Sequence, residues 1–288
     1  MDLITRQIDL MRLEKRISWE MYQRLLALRD ALENAGDDVG EIDRLIDRYF
    51  AELETWFMQQ HEAVADDESD WLFWLLIGLG VAAQRLPQGA LHDLVVGGAA
   101  LSAWWAGWRA DFKRKAKQML LSHLLHDEPT DWQRVFQAAW LRLKALSATW
   151  ISTLISEAVY QLGRLNPAVK GFRHISVLDG KTSSVCAMRH GLLWGRDLQP
   201  IGHGFVFQRP ALHPHCRSRL AWWFGEPWHD VTGEEWVKSR TLDELQEQFG
   251  AGVGQMLHDG TIALHQAVKS GGLQAMTLRE LQAKYPRA

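Results

Sequence analysis

Two short stretches hold the residue types that do chemistry. Residues 178–186 read LDGKTSSVC and residues 213–220 read HPHCRSRL, and between them they contain the two cysteines of the chain, Cys186 and Cys216. Thiolates and imidazoles are the ligands of tetrahedral zinc, so Cys186, His213, His215 and Cys216 form a candidate metal set. Cys186 and His190 are four apart and share a face if the segment is helical. A disulfide between the two cysteines would close a loop of about thirty residues and contribute about 3 kcal/mol in an oxidising setting. Two reduced thiols packed as small apolar groups are a third reading. The residues alone leave all three open.

Catalysis has less behind it. A cysteine beside a histidine is the minimal nucleophile pair. The combined His-x-Glu and Pro-Cys-x-x-Cys pattern of zinc deaminases is absent, as are Gly-x-Ser-x-Gly, a Walker loop and a dinucleotide fingerprint. The expectation is a protein that is not an enzyme.

The elements around the cysteines must position them. HISVL (174–178) and RLAWWF (219–224) read as strands, as does GFVFQ (204–208). LDGK is a turn, and Thr182 is placed to cap a short helix, SSVCAMRH, that stops at Gly191. Antiparallel pairing of HISVL with RLAWWF would bring Cys216 beside the helix of Cys186, with Cα atoms within roughly 7 Å.

Upstream, residues 1–165 read as helix after helix. Leu3, Ile4, Ile8, Leu10, Met11, Leu13, Ile17, Met21, Leu25 and Leu28 recur near a 3.6 spacing until Gly36, and Ile42, Leu45, Ile46, Tyr49, Phe50, Leu53, Trp56 and Phe57 repeat the pattern. The two helices are expected to pack as an antiparallel pair. Two greasier segments, 71–83 and 94–108, are expected to be buried or subunit-facing helices, each short of the about 20 residues that span a bilayer. Membrane contact through 71–108 is the minority reading. The basic run DFKRKAKQ (111–118) reads as a solvated helix face, with a phosphate-backbone contact as the alternative. Thr130 or Asp131 caps the next helix, which Asn166-Pro167 ends. After about 228 the chain returns to helices at 232–240, 242–250, 260–270 and 277–285, two of them opened by the Thr-x-x-Glu capping box at TGEE and TLRE.

The bulk numbers agree with an ordinary folded protein. Apolar residues make up 47% and charged residues 23% of 288, which is a globular composition. A net charge of −3 argues against a basic nucleic-acid coat. Two cysteines are too few for a secreted disulfide scaffold, and the N-terminal stretch has no uninterrupted apolar core typical of a secretion signal. The fifteen tryptophans read first as bulky core filling and second as a binding belt.

The order of the motif residues resembles the phage Mu F-like head morphogenesis family, also called minor capsid or minor head proteins. The resemblance rests on HISVLDGKTSSVCAMRHG followed by RPALHPHCRSRL, and its positions are Asp179, Thr182, Cys186, Gly191, His213, Pro214, Cys216 and Arg217. It covers roughly residues 145–285, including the preceding helix with Glu157. Many relatives carry a further cysteine after the arginine, where this chain has Ser218. The resemblance implies a virion component in the capsid interior or at the portal vertex, made in the host cytoplasm and present in several copies per particle. Its implied partners are portal and capsid proteins and, in packaging or delivery, viral DNA. The alternatives are a metal-dependent nuclease or toxin-like effector carried in the virion, and an ejected membrane-active protein.

The fold class expected is mainly α with a small α+β module. It divides into a helical, hydrophobic-rich assembly region (1–165), a Mu F-like module (166–228) and a helical C-terminal tail (229–288).

Overall fold

A computed structural model describes residues 3–286 except Gly97, Asp127, Pro129 and Pro214. The chain is mainly α with a small antiparallel sheet, as its sequence predicts. It forms two compact units, Met1–Glu68 with Pro87–Leu154 and Ser69–Leu86 with Ile155–Ala288.

The first unit is built from long helices. Helix α1 (Leu3–Ala35) ends where Gly36 takes a left-handed backbone, φ 59°, and α2 (Val39–Gly78) starts after Asp38, whose carboxylate accepts the Glu41 amide at 2.9 Å. The helices run antiparallel: Arg6 near the start of α1 pairs with Asp67 at 2.7 Å and Glu68 at 2.6 Å. Leu25, Leu28, Leu32, Ile42, Ile46, Phe50 and Phe57 are buried. Helix α3 (Leu101–His126) adds Trp105 and Trp108, with ring centroids 5.3 Å from Phe57 and 4.7 Å from Phe50. Helix α4 (Trp132–Leu165), capped by Asp131 and not Thr130, adds Trp150, whose Nε1 donates to His61 Nδ1 at 3.0 Å. Core filling therefore accounts for the largest rings here, while Trp19 and Trp74 stay exposed.

Two expectations for this half need correction. Residues 94–108 are not one helix: β1 (Val95–Val96) and β2 (Ala99–Ala100) form a small hairpin, with Gly98 at φ 87°, and the helix starts only at Leu101. A glycine in the left-handed region, as Gly98 is, supplies a tight turn and interrupts a helix; Gly97 lies outside the described residues. Segment 71–83 is helical only to Gly78, after which Gly80 turns the chain at φ 78°. Among the described residues no helix is long and apolar enough to cross a membrane. The basic run is matched by carboxylates: Lys113 meets Asp47 at 2.6 Å, Lys117 meets Asp43 at 2.8 Å, and Arg114 and Lys115 both pair with Asp111.

The second unit carries the motif. Strands β3 (Gly171–Ile175), β4 (Leu193–Gly195), β5 (Pro200–Ile201) and β6 (Arg219–Trp223) form a sheet in the order β5-β4-β3-β6, every pair antiparallel. The predicted pairing is present with His174 opposite Leu220, but the strand is GFRHI, starting three residues before HISVL and leaving the ladder at Ser176. GFVFQ joins no ladder; Trp194 Nε1 holds it through the Phe205 carbonyl at 2.8 Å. Gly163 of α4 leaves room for Phe172, whose ring would lie 2.6 Å from an added Cβ, and Trp222 donates to the Val159 carbonyl at 2.7 Å.

The tail contains α6 (Gly233–Lys238), α7 (Leu242–Phe249), α8 (Ala251–His258) and α9 (Leu278–Lys284). Both predicted capping boxes are present, and Thr241 with Glu244 makes a third. Residues 260–270 are no α-helix but a 3-10 turn, Leu264–Ala267, followed by a Val268–Ala275 bridge. The tail is also not separate from the module. Val185, Ala187 and Met188 pack in one core with Val237, Leu245, Met256, Leu264 and Leu281.

Candidate functional site

The site forms where the chain leaves β3, turns, and starts helix α5 (Ser184–Arg189). Asp179 makes the turn. Its Oδ1 accepts the Lys181 amide at 2.9 Å and the Thr182 hydroxyl at 3.2 Å, while its own amide donates to Thr182 Oγ1 at 3.2 Å. The Thr182 hydroxyl also reaches the Val177 carbonyl. Thr182 therefore closes the turn and does not cap the helix. The cap is Ser183, whose Oγ accepts the Cys186 amide at 3.3 Å. In the run Thr-Ser-Ser the competing bonds of Thr182 decide which hydroxyl is left for the helix.

Arg217 ties the second loop to this turn. Its two terminal nitrogens donate to the two Asp179 oxygens at 2.8 and 2.6 Å, a bidentate pair that holds the Asp179 carboxyl down at about 2. Gln248 of α7 donates to the carbonyls of Asp179 and Thr182 at 3.1 and 2.6 Å.

Helix α5 ends at Gly191, φ 84°, whose amide donates to the His174 carbonyl at 2.9 Å and whose carbonyl accepts from Arg173 at 2.9 Å. A side chain there would also crowd Trp228 Nε1 at 3.1 Å. His190 does not face the cysteines as a ligand would; its Nδ1 accepts the Ser176 amide at 3.0 Å.

The two cysteines are neighbours, with sulfurs 3.7 Å apart and both residues buried. Cys186 Sγ lies 3.1 Å from His213 Nε2, which is also 2.8 Å from Ser183 Oγ. Cys186, His213 and Cys216 thus place one ligand atom each within 4.8 Å of one another. His215, the fourth residue of the predicted set, is outside this group. It is exposed, sits at φ 61° in a turn closed by the Cys216 amide on the His213 carbonyl at 3.1 Å, and lines a small cleft with Lys181, Arg217 and Ser218. Pro214 lies outside the described residues.

The contact between the cysteines drives their two thiols apart in acidity. The hydrogen bond from Cys216, helped by Ser183, Ser218 and the charge of Arg189, draws the Cys186 thiol down to about 6 against its burial. The same bond and burial push Cys216 above the ordinary thiol range. Of the two sulfurs, Cys186 is the one that gives up its proton more readily.

Several important residues carried no signal in the sequence. Arg189, wholly buried, donates to the carbonyls of Val206 at 2.6 Å and Gly272 at 3.1 Å; burial lowers it to about 10. Ser176 and Ser218 bond at 2.9 Å, and Ser176 donates to the Cys186 carbonyl at 2.7 Å. His174 is fully buried with neither ring nitrogen hydrogen-bonded among the described residues, and burial beside Arg189 lowers it to about 3. Only the hydroxyl run at Ser183 could have been found from sequence, as a cap three residues before Cys186.

Comparison with protein-family models, with curated proteins and with solved structures finds no match. The arrangement itself can brace a turn, clamp a helix to a loop, and offer two sulfurs and an imidazole to a soft cation.

Proposed function

We propose that the chain is a phage minor head protein of the Mu F-like kind, which binds portal and inner capsid proteins and assists head assembly, DNA packaging or DNA delivery. The residues that carry the resemblance are Asp179, Thr182, Cys186, Gly191, His213, Pro214, Cys216 and Arg217. One observation favours a structural role over an enzymatic one: Asp179, Thr182 and Arg217 spend their polar atoms on one another and on the backbone. Side chains engaged in this way hold a loop in shape; a catalytic group needs a free face toward substrate.

A partner surface is available in the first unit. Leu121, Leu124 and Leu125 are exposed near the C-terminal end of α3. Clustered exposed leucines of this kind mark association surfaces more often than monomer surfaces.

The test is co-expression of the chain with portal and major capsid proteins from its own source genome, followed by gradient sedimentation. The expected result is co-sedimentation with procapsids, weakened by Leu124→Asp with Leu125→Asp. Absence from assembled heads overturns the reading. Metal-dependent cleavage of DNA or RNA by the purified chain, lost in His213→Ala, would put the nuclease alternative in its place.

A further inference from the structure

We propose that Cys186, Cys216 and His213 bind one zinc ion, with two sulfurs and Nε2 at three corners of a tetrahedron and the fourth corner facing the cleft lined by His215 and Arg217. The argument uses the three ligand atoms alone and does not depend on the head-assembly reading.

Geometry comes first. Two thiolates at about 2.3 Å from a tetrahedral ion stand about 3.8 Å apart, and a thiolate and an imidazole nitrogen about 3.5 Å apart. The sulfurs are 3.7 Å apart, Cys186 Sγ is 3.1 Å from His213 Nε2, and all three ligand atoms lie within 4.8 Å of one another, so side-chain movements of at most about 1.3 Å bring them to the spacings one ion needs. A disulfide needs sulfurs at about 2.05 Å, and bonding at that length would pull Cys216 away from the position that suits a metal.

Charge and chemistry agree. Zn²⁺ with two thiolates sums to zero, so the complex can occupy a site where Cys186 and Cys216 are 3% and 0% exposed without burying net charge. The donor set contains no carboxylate or carbonyl, which excludes calcium and magnesium as its natural ions.

The supporting shell is in place. Ser183 Oγ caps the helix of Cys186, and its 2.8 Å contact with His213 Nε2 gives way when that nitrogen takes the metal. Ser176, bonded to Ser218, holds the Cys186 carbonyl. Outer groups of this sort fix ligands in position. On binding, zinc displaces the thiol protons to solvent and links α5 to the 213–217 loop by metal bonds.

The test is elemental analysis of the purified full-length protein, expressed with zinc and without a histidine tag. About one zinc per chain is expected. Chelator-stripped protein titrated with Co²⁺ should show thiolate-to-cobalt charge transfer and tetrahedral visible bands, a readout that needs no variant. Cys216→Ser should weaken zinc by more than about a hundredfold, and His215→Ala should leave it unchanged. Background zinc with no cobalt–thiolate band overturns the proposal, as does a mass short by two hydrogens that reductant restores. Loss of zinc in His215→Ala would overturn the three-residue ligand set.

Discussion

Removing the Asp179–Arg217 pair should loosen the turn by an amount that depends on pH in a defined way. Asp179 is held at about 2 against an ordinary 3.8, a difference of about 2.4 kcal/mol at about 1.36 kcal/mol per pH unit. Both side chains are about two-fifths exposed, so solvent screening reduces that to about 1 kcal/mol. Asp179→Asn keeps an acceptor for the Lys181 amide and loses the charge, so it should cost about 1 kcal/mol; Asp179→Ala also loses the turn bonds and should cost about 2 kcal/mol. A carboxyl whose folded value lies below its unfolded one stabilises fully above about pH 4, and that contribution is lost as the pH falls through about 2. Hydrogen-exchange mass spectrometry of peptides covering 171–190 reads the opening free energy. In a double-mutant cycle with Arg217→Ala, the coupling should be about 1 kcal/mol at pH 7 and low salt and vanish near pH 2. A coupling that is zero at pH 7, or unchanged at pH 2, refutes the reasoning.

Other expectations follow from the same geometry. Ser183→Ala removes the cap of α5 and should raise exchange of the Cys186 amide about fivefold, which corresponds to about 1 kcal/mol; an unchanged rate would return the cap to Thr182. Gly233→Ala places a methyl 2.6 Å from the Ala187 carbonyl carbon and closer still to its oxygen, so urea unfolding of the second unit should show a loss of about 2 to 3 kcal/mol as α6 is pushed off α5. A midpoint equal to wild type would mean the two helices yield without cost. His174 is lowered by burial, so the unfolded chain binds its proton first and stability should fall as the pH drops from about 6.5 toward about 3. His174→Leu should retain stability over that range, and parallel acid-unfolding curves for the two proteins would contradict the burial argument.

The parts of the structure that could be read in advance share a physical trait: their cause is local. Gly36 stops α1, Asp131 starts α4, and Thr232 and Thr277 open capped helices because backbone groups and a neighbouring side chain settle those outcomes within one turn. The pairing of HISVL with RLAWWF needed only strand propensity and antiparallel economy, and it placed Cys216 beside Cys186. The failures came where tertiary contacts override local preference. Residues 260–270 have a helical pattern, but Val268 pairs with Ala275 and the segment tightens to a 3-10 turn. Thr182 is as good a cap as Ser183 in isolation and loses that role to Val177 and Asp179. Nothing near Arg189 in sequence reveals that its guanidinium is wholly enclosed, because its acceptors lie 17 and 83 residues away.

That enclosed guanidinium also sets an order of events during synthesis. The ribosome makes the strands and α5 before Gly272, whose carbonyl accepts from Arg189, and before Leu281, which shares a core with Val185 and Met188. Until those residues emerge, a folded module would hold a cation in an apolar interior with only part of its acceptors, at a cost of several kcal/mol. A chain cut before those residues should therefore hold the sheet and its sulfur pair loosely, and the addition of α9 should lock them.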